Sequence, residues 1–341
     1  MTWVDGYLRK VSYLKSNVFL SPYENQEIFI ITDDNLESLY HAEIANFAYY
    51  SIKAGEESKC LQEVNLILER LLQDNFSRNV SIIAFGGGIV CDIAGFVSAI
   101  YKRGCKLLLM PTSLIAMVDA SIGGKNGVNS RDYKNQFGTV KQADRINIDI
   151  DLLKTLPLAE LKNGMAEVIK HGLLASQSYY EEALNFLDSI RAENISNAGL
   201  DSLIRESIAI KLAFVAGDES DKGQRRFLNF GHTLGHAIEK LYHFPHGQAV
   251  VWGMLQAVKI SYQTGLMSKS IYQRIKSDLE RINTFDDSVI DWDKIQEALL
   301  SDKKRQGVGL VFILLEDFAK PLVREIDFSI IKQTLFEENA K

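Results

Sequence analysis

The stretch from Ser81 to Met110 most constrains the fold. Ser81 to Phe85 (Ser-Ile-Ile-Ala-Phe) is a short apolar run of strand type that ends at Gly86-Gly87-Gly88. A helical pattern follows from Ile89 to Tyr101, and a second strand-type run covers Lys106 to Met110. Two similar runs precede it: Glu27 to Thr32, closing on Asp33-Asp34-Asn35, and Phe47 to Lys53. Between them and Ser81, the segment Ser58 to Asn75 carries Leu61, Val64, Ile67, Leu68, Leu71 and Leu72 at helical spacing. Ser58 is its expected N-cap. Strands alternating with helices predict a parallel sheet covered by helices on both faces.

After Leu156-Pro157 the patterning changes. Long helical periodicities cover Leu158 to Ala175, Tyr179 to Ile190, Gly199 to Phe214, Gly231 to Leu241, Gln248 to Thr264 and Ser268 to Ile282. Gly307 to Leu315 is expected to be a late strand. A chain of 341 residues can hold two full cores. We therefore expect an α/β domain over residues 1–155 and a mainly helical domain over 156–341. No internal repeat or low-complexity tract interrupts either part.

Charge and cysteine usage narrow the partners. A net charge of -6 argues against a nucleic-acid binder, which carries a basic stripe. It leaves room for a small anion in a local basic pocket. Three cysteines without metal-ligand spacing suggest reduced thiols in a cytoplasm. Met1-Thr2-Trp3-Val4-Asp5 does not lead from a basic segment into an apolar one, so no secretion signal is expected. No apolar run reaches the length of a membrane span.

The chemistry gathers in a few places. Four of the six histidines lie between positions 232 and 246: His232, His236, His243 and His246. With Glu167 upstream they can supply the two imidazoles and one carboxylate of many catalytic zinc sites. His232 and His236 are four apart and share a helix face. That spacing invites both as ligands, but Thr233 stands where a metalloprotease has Glu. Lys170 can be a plain i,i+3 ion-pair partner of Glu167. Gly86-Gly87-Gly88 can cradle a phosphate at a helix N-terminus or serve as a tight turn. The dinucleotide fingerprint is incomplete, with Cys91 in place of its third glycine. Asp92 is expected in the first turn of the following helix. The block Pro111 to Asn129 combines hydroxyls after a strand, Asp119, paired glycines and Lys125, with Lys134-Asn135 shortly after. Asp302-Lys303-Lys304-Arg305, taken alone, is a solvated charge run. His41 and His171 read as structural.

Taken together and in order, these motifs resemble 3-dehydroquinate synthase: Gly86-Gly87-Gly88 with Asp92, Pro111 to Asn129, Leu156-Pro157, Gly164-Met165-Ala166-Glu167 with Lys170, Asn229-Phe230-Gly231-His232-Thr233-Leu234-Gly235-His236, His246-Gly247 and Asp302-Lys303-Lys304. The resemblance implies a Rossmann-like, NAD-binding N-terminal domain, a helical metal-binding C-terminal domain, an active site in the cleft between them, and a homodimer. It implies conversion of 3-deoxy-D-arabino-heptulosonate 7-phosphate into 3-dehydroquinate and phosphate, with NAD and one divalent metal, zinc or cobalt. Glu167, His232 and His246 would then be the metal ligands, leaving His236 as a catalytic polar group. Asp119, Lys125, Asn135, Lys170, Lys211, Arg225, Asn229 and Lys303 or Lys304 would meet the phosphorylated sugar acid. Arg103 would reach the partner subunit's substrate. Asp33, Asn35, Glu56, Lys59, Gly87, Gly88, Asp92, Thr112, Ser113, Asp119, Lys125, Lys134 and Thr155 would contact NAD. The segment Phe137 to Gln142 departs from the family's Gly-Ala-Phe-Tyr-Gln-Pro wording. Ser113 and Ala120 stand where threonine and serine are common. A polyol or glycerol-phosphate dehydrogenase, or another sugar-phosphate cyclase of the same fold, is the alternative.

Overall fold

Eight strands organise the first half of the chain: β1 (Val11–Tyr13), β2 (Ile28–Asp33), β3 (Ala48–Ile52), β4 (Ser81–Gly86), β5 (Lys106–Pro111), β6 (Lys125–Ser130), β7 (Tyr133–Val140) and β8 (Arg145–Ile148). The computed structural model describes residues 3–13, 26–130, 133–191, 197–218, 221–301, 305–306 and 309–336. Six of these strands form one sheet in the order β1-β8-β5-β4-β2-β3, every neighbouring pair parallel. Ile82, Ile83, Ala84 and Phe85 of β4 are fully buried. A strand covered on both faces has no solvent side, which is why its sequence is an unbroken apolar run. The remaining two strands, β6 and β7, form an antiparallel hairpin.

Two local expectations are corrected. The helix after β3 is Leu61–Gln73 and its N-cap position is Cys60, without a side-chain cap. Ser58 lies in the preceding turn, where its hydroxyl donates to the Lys53 carbonyl at 2.6 Å. The helix after the glycines is Gly88–Ile100 and has no acidic residue in its first turn. Asp92 sits one turn deeper, and its carboxylate pairs with Lys59 at 2.5 Å instead of facing the helix end.

The chain divides into two compact units: Met1–Leu161 with Leu200–Glu219, and Lys162–Gly199 with Ser220–Lys341. The second is built mainly of helices, including Gln177–Arg191, His232–Tyr242, His246–Gln263, Lys269–Ile282, Trp292–Ser301 and Phe328–Phe336. Its sheet is antiparallel, β9 (Arg305–Gln306), β10 (Gly309–Leu315) and β11 (Pro321–Asp327), in the order β11-β10-β9. The His246–Gln263 helix is buried along nearly its whole length, so it forms the core on which the others pack. Among the described residues, no helix is long and apolar enough to cross a membrane.

Candidate active site

Glu167 lies on the Leu158–Ala175 helix and is fully buried. His232 Nε2 is 3.6 Å from its Oε1, and His246 Nε2 is 3.5 Å from the same oxygen. The other oxygen pairs with the Lys170 ammonium, itself buried. Neither oxygen accepts a hydrogen bond of normal geometry among the described residues. His232 Nδ1 is 3.1 Å from the Phe230 carbonyl, and His246 Nδ1 is 3.2 Å from Glu239 Oε2. Both partners are acceptors, so each Nδ1 carries a hydrogen and each Nε2 is the nitrogen left to meet a cation. Two ring nitrogens therefore converge on one oxygen of the buried Glu167 carboxylate. A tetrahedral ion about 2.1 Å from each ligand sets its ligand atoms about 3.4 Å apart, so the observed spacing fits a divalent cation.

The two rings ionise differently in the absence of metal. Burial pushes the Glu167 carboxyl up, but Lys170 first, then the two histidines, hold it well below the ordinary carboxylate range. Burial, reinforced by Lys170, drives His232 down to about 3 and so keeps it neutral. Burial also opposes charge on His246, yet Glu167 and Glu239 outweigh it and raise the ring to about 10, so a cation bound there displaces the Nε2 proton.

Glycine makes this approach possible. Gly247 N donates to Asn163 Oδ1 at 2.5 Å, and a Cβ on Gly247 would stand 2.0 Å from the Asn163 carbonyl oxygen. Only a residue without a side chain lets the start of the His246–Gln263 helix lie this close to the Glu167 helix. Gly231, at φ +80°, turns the chain from the Gln224–Asn229 turn into the His232 helix, a conformation other L-residues resist.

His236 lies on the same helix face as His232, with ring centroids 5.0 Å apart. Its ring is 6.1 Å from that of His246. A second set, His236, Glu239 and His246, also has ligand atoms within 4.8 Å of one another, as the Glu167, His232 and His246 set does. Arg225 is buried and Asn229 half-buried in the turn that precedes Gly231. Lys303 and Lys304 lie outside the described residues.

In the first unit, the carboxyl ends of the adjacent strands β2, β4 and β5 gather about half of the expected dinucleotide residues. Parallel sheets bind their ligands at this edge. Asp33 ends β2 and accepts from Leu36 N at 3.0 Å, capping the short helix that contains exposed Asn35. Gly87 and Gly88 follow β4. Thr112 and Ser113 follow β5, with Thr112 N donating to the Gly86 carbonyl at 3.0 Å. A Cβ on Gly87 would stand 3.6 Å from Ser113 Oγ. Thr155 joins through its hydroxyl, 3.0 Å from that of Tyr40.

A second group centres on the hairpin. Buried Lys59 binds Asp92 and donates to Asn135 Oδ1 at 2.7 Å. Asn129 links Glu56 to the Asn135 backbone, and Lys134 is 3.9 Å from Glu56. Burial raises the Asp92 carboxyl, with Lys59 opposing it. Lys211 Nζ donates to both Asp119 Oδ1 and the Asp119 carbonyl, at 2.6 and 2.5 Å. Lys125 opens β6 and is exposed. Arg103 is exposed and, with Lys102 and Gly104, forms three successive residues at positive φ.

Sequence reasoning gave no role to Glu239 or Asn163. Glu239 falls seven residues after His232, two turns along the same helix face, and that spacing was the available signal. Asn163 has none, because its partner Gly247 is far away in sequence.

Residues 49–163 match the 3-dehydroquinate synthase N-terminal family, and residues 164–305 match its C-terminal family. This chain belongs to the 3-dehydroquinate synthase family. The 3-dehydroquinate synthase of Streptococcus pneumoniae is 38% identical over 325 residues, covering 92% of this chain and 91% of the relative. The bifunctional 3-dehydroquinate synthase/phosphatase of Fusobacterium nucleatum subsp. nucleatum is 35% identical over 89% of this chain, which spans 48% of that protein's length. Among solved structures, 2-deoxy-scyllo-inosose synthase complexed with carbaglucose-6-phosphate, NAD+ and Co2+ superposes with a TM-score of 0.84 at 25% identity, covering 96% of each chain. The six-stranded parallel sheet and the helical second unit are thus the fold of NAD-binding sugar-phosphate cyclases.

Proposed function

We propose that this chain is a 3-dehydroquinate synthase that converts 3-deoxy-D-arabino-heptulosonate 7-phosphate into 3-dehydroquinate and phosphate, with NAD and one divalent metal. The convergence of Glu167, His232 and His246 on one buried point, in a chain of this family, carries the reading. The first unit takes the dinucleotide at the β2, β4 and β5 edge, where glycine amides and a helix N-terminus suit phosphate. The second unit holds the metal, zinc or cobalt.

When bound, NAD supplies a reversible hydride acceptor and the metal a Lewis acid. The protein's share is binding and orientation. Phosphate and carboxylate on the substrate match the cations Lys125, Lys170, Lys211 and Arg225, with Asn135 and Asn229 as neutral partners and Lys303 or Lys304 adding charge. Lys170 also holds Glu167 ionised, which a metal ligand requires. His236, off the metal in this reading, is the group placed to hand over a proton through its imidazole. The protein works in the cytoplasm as a homodimer to which Arg103 contributes in trans.

Purified protein given the heptulosonate phosphate, NAD and zinc should release one phosphate per substrate while NADH stays flat. Stoichiometric NADH accumulation would instead assign a dehydrogenase.

A further inference from the structure

We infer that Glu239 is a positioning residue for His246, fixing which ring nitrogen faces the metal, and is not itself a ligand. The inference rests on the metal reading above. Glu239 lies on the His232–Tyr242 helix with its side chain 14% exposed, and its Oε2 meets His246 Nδ1 at 3.2 Å. A carboxylate accepts and does not donate, so the hydrogen sits on Nδ1. Nε2, 3.5 Å from Glu167 Oε1, is then the nitrogen whose lone pair the neutral ring offers to a cation.

The competing arrangement, a cation held by His236, Glu239 and His246, conflicts with this geometry. If Glu239 and His246 Nδ1 both held a cation, Nδ1 would give up its hydrogen. Nε2 would then carry that hydrogen and donate it toward Glu167. His232 Nε2, fixed as a lone pair by the Phe230 carbonyl, would still face the same carboxylate oxygen at 3.6 Å. Two acceptors facing each other beside a buried carboxylate repel. With the cation at Glu167, His232 and His246, every polar atom of the group has a partner: Phe230 O serves His232, Glu239 serves His246, and Lys170 serves the second oxygen of Glu167. The two imidazoles are therefore held unequally, one by a neutral carbonyl and one by a charged carboxylate. Carboxylate support orients the ring and strengthens the ligand, and removing such a partner lowers metal affinity about 10- to 100-fold.

The test uses the full chain, stripped of metal and titrated with zinc against a chelating dye. Thermal unfolding of the metal-free proteins monitors the fold. Glu239→Gln keeps the shape and an acceptor but loses the charge, and should weaken zinc about 10-fold; Glu239→Ala should weaken it about 100-fold. If the alanine variant does not fold, the isosteric glutamine variant carries the test. Cobalt substituted for zinc should give the same visible absorption bands in wild type and Glu239→Gln, because the ligand set is unchanged. Zinc affinity within about two-fold of wild type in every folded variant overturns the inference. So does a cobalt spectrum that changes in Glu239→Gln but not in Glu167→Gln, which would make Glu239 the ligand. A wild-type chain that takes up no zinc overturns the metal reading and this inference with it.

Discussion

Adding one methyl group at Gly247 should disturb the metal centre without touching a ligand. The Cβ of Gly247→Ala would stand 2.0 Å from the Asn163 carbonyl oxygen, 2.6 Å from its Oδ1 and 2.8 Å from its carbonyl carbon. Against ordinary contact the shortfall is roughly 1.4 Å. Two of the three obstacles are backbone atoms, so no rotamer change relieves the clash, and the helix start must move. Overpacking of this kind costs about 1–3 kcal/mol. The strained hydrogen bond from Gly247 N to Asn163 adds about 1 kcal/mol. Together, ~2–4 kcal/mol should lower the unfolding midpoint of the metal-free protein by on the order of 5–10 °C. His246 is the neighbouring residue, and metal bonds tolerate only about 0.2 Å of displacement. Zinc affinity, read by chelator competition, should therefore fall together with the midpoint. Truncating Asn163 in the Gly247→Ala background should not restore either, because its carbonyl remains. A Gly247→Ala protein with wild-type midpoint and zinc affinity would refute the claim that this glycine sets the helix approach.

Four other outcomes follow from the same geometry. Lys170→Met should destabilise the metal-free protein by about 3–5 kcal/mol, because it strands a buried carboxylate, and zinc should recover most of that loss in calorimetry. His236→Ala should keep its zinc by elemental analysis and lose about 10²- to 10⁴-fold in turnover; loss of zinc would make it a ligand. Arg103→Ala and Lys125→Ala chains, each inactive alone, should regain up to half the activity per heterodimer on mixing; heterodimers that stay inactive would place Arg103 in its own chain's site. Burial raises the Cys91 thiol and pushes Cys105 up to about 11, leaving Cys105 only about 0.1% thiolate at pH 8. Native alkylation followed by mass spectrometry should mark half-buried Cys60 first, and equal labelling of Cys91 would contradict its burial.

The parts of the fold legible in the sequence are those where one physical demand dominates. β2, β4 and β5 are covered on both faces, so their sequences read as unbroken apolar runs. The strands that escaped reading face other demands. β1 and β8 have three and four residues, too few to show a period. β7 is exposed along nearly its whole length, so it has no buried face to impose alternation, and its glycine and polar content read as loop. The N-cap expected at Ser58 failed because the 3-10 turn Glu56–Ser58 delays the helix, and an available hydroxyl does not fix where a helix begins.

The candidate site shows the same division more sharply. Helical spacing brings His232 and His236 to one face, and the structure keeps them there with rings 5.0 Å apart. Yet the nitrogens that meet Glu167 belong to His232 and His246, which lie on different helices. Spacing within one helix cannot choose between His236 and His246, because the choice is made by how closely two other helices approach. That approach is set where the Gly247 backbone meets Asn163, eighty-four residues away in sequence. The information that selects the second histidine is therefore carried less by the histidines than by the glycine after one of them. A chain with all four imidazoles but a larger residue at 247 would keep the motif's spacing and lose the geometry that the reading depends on.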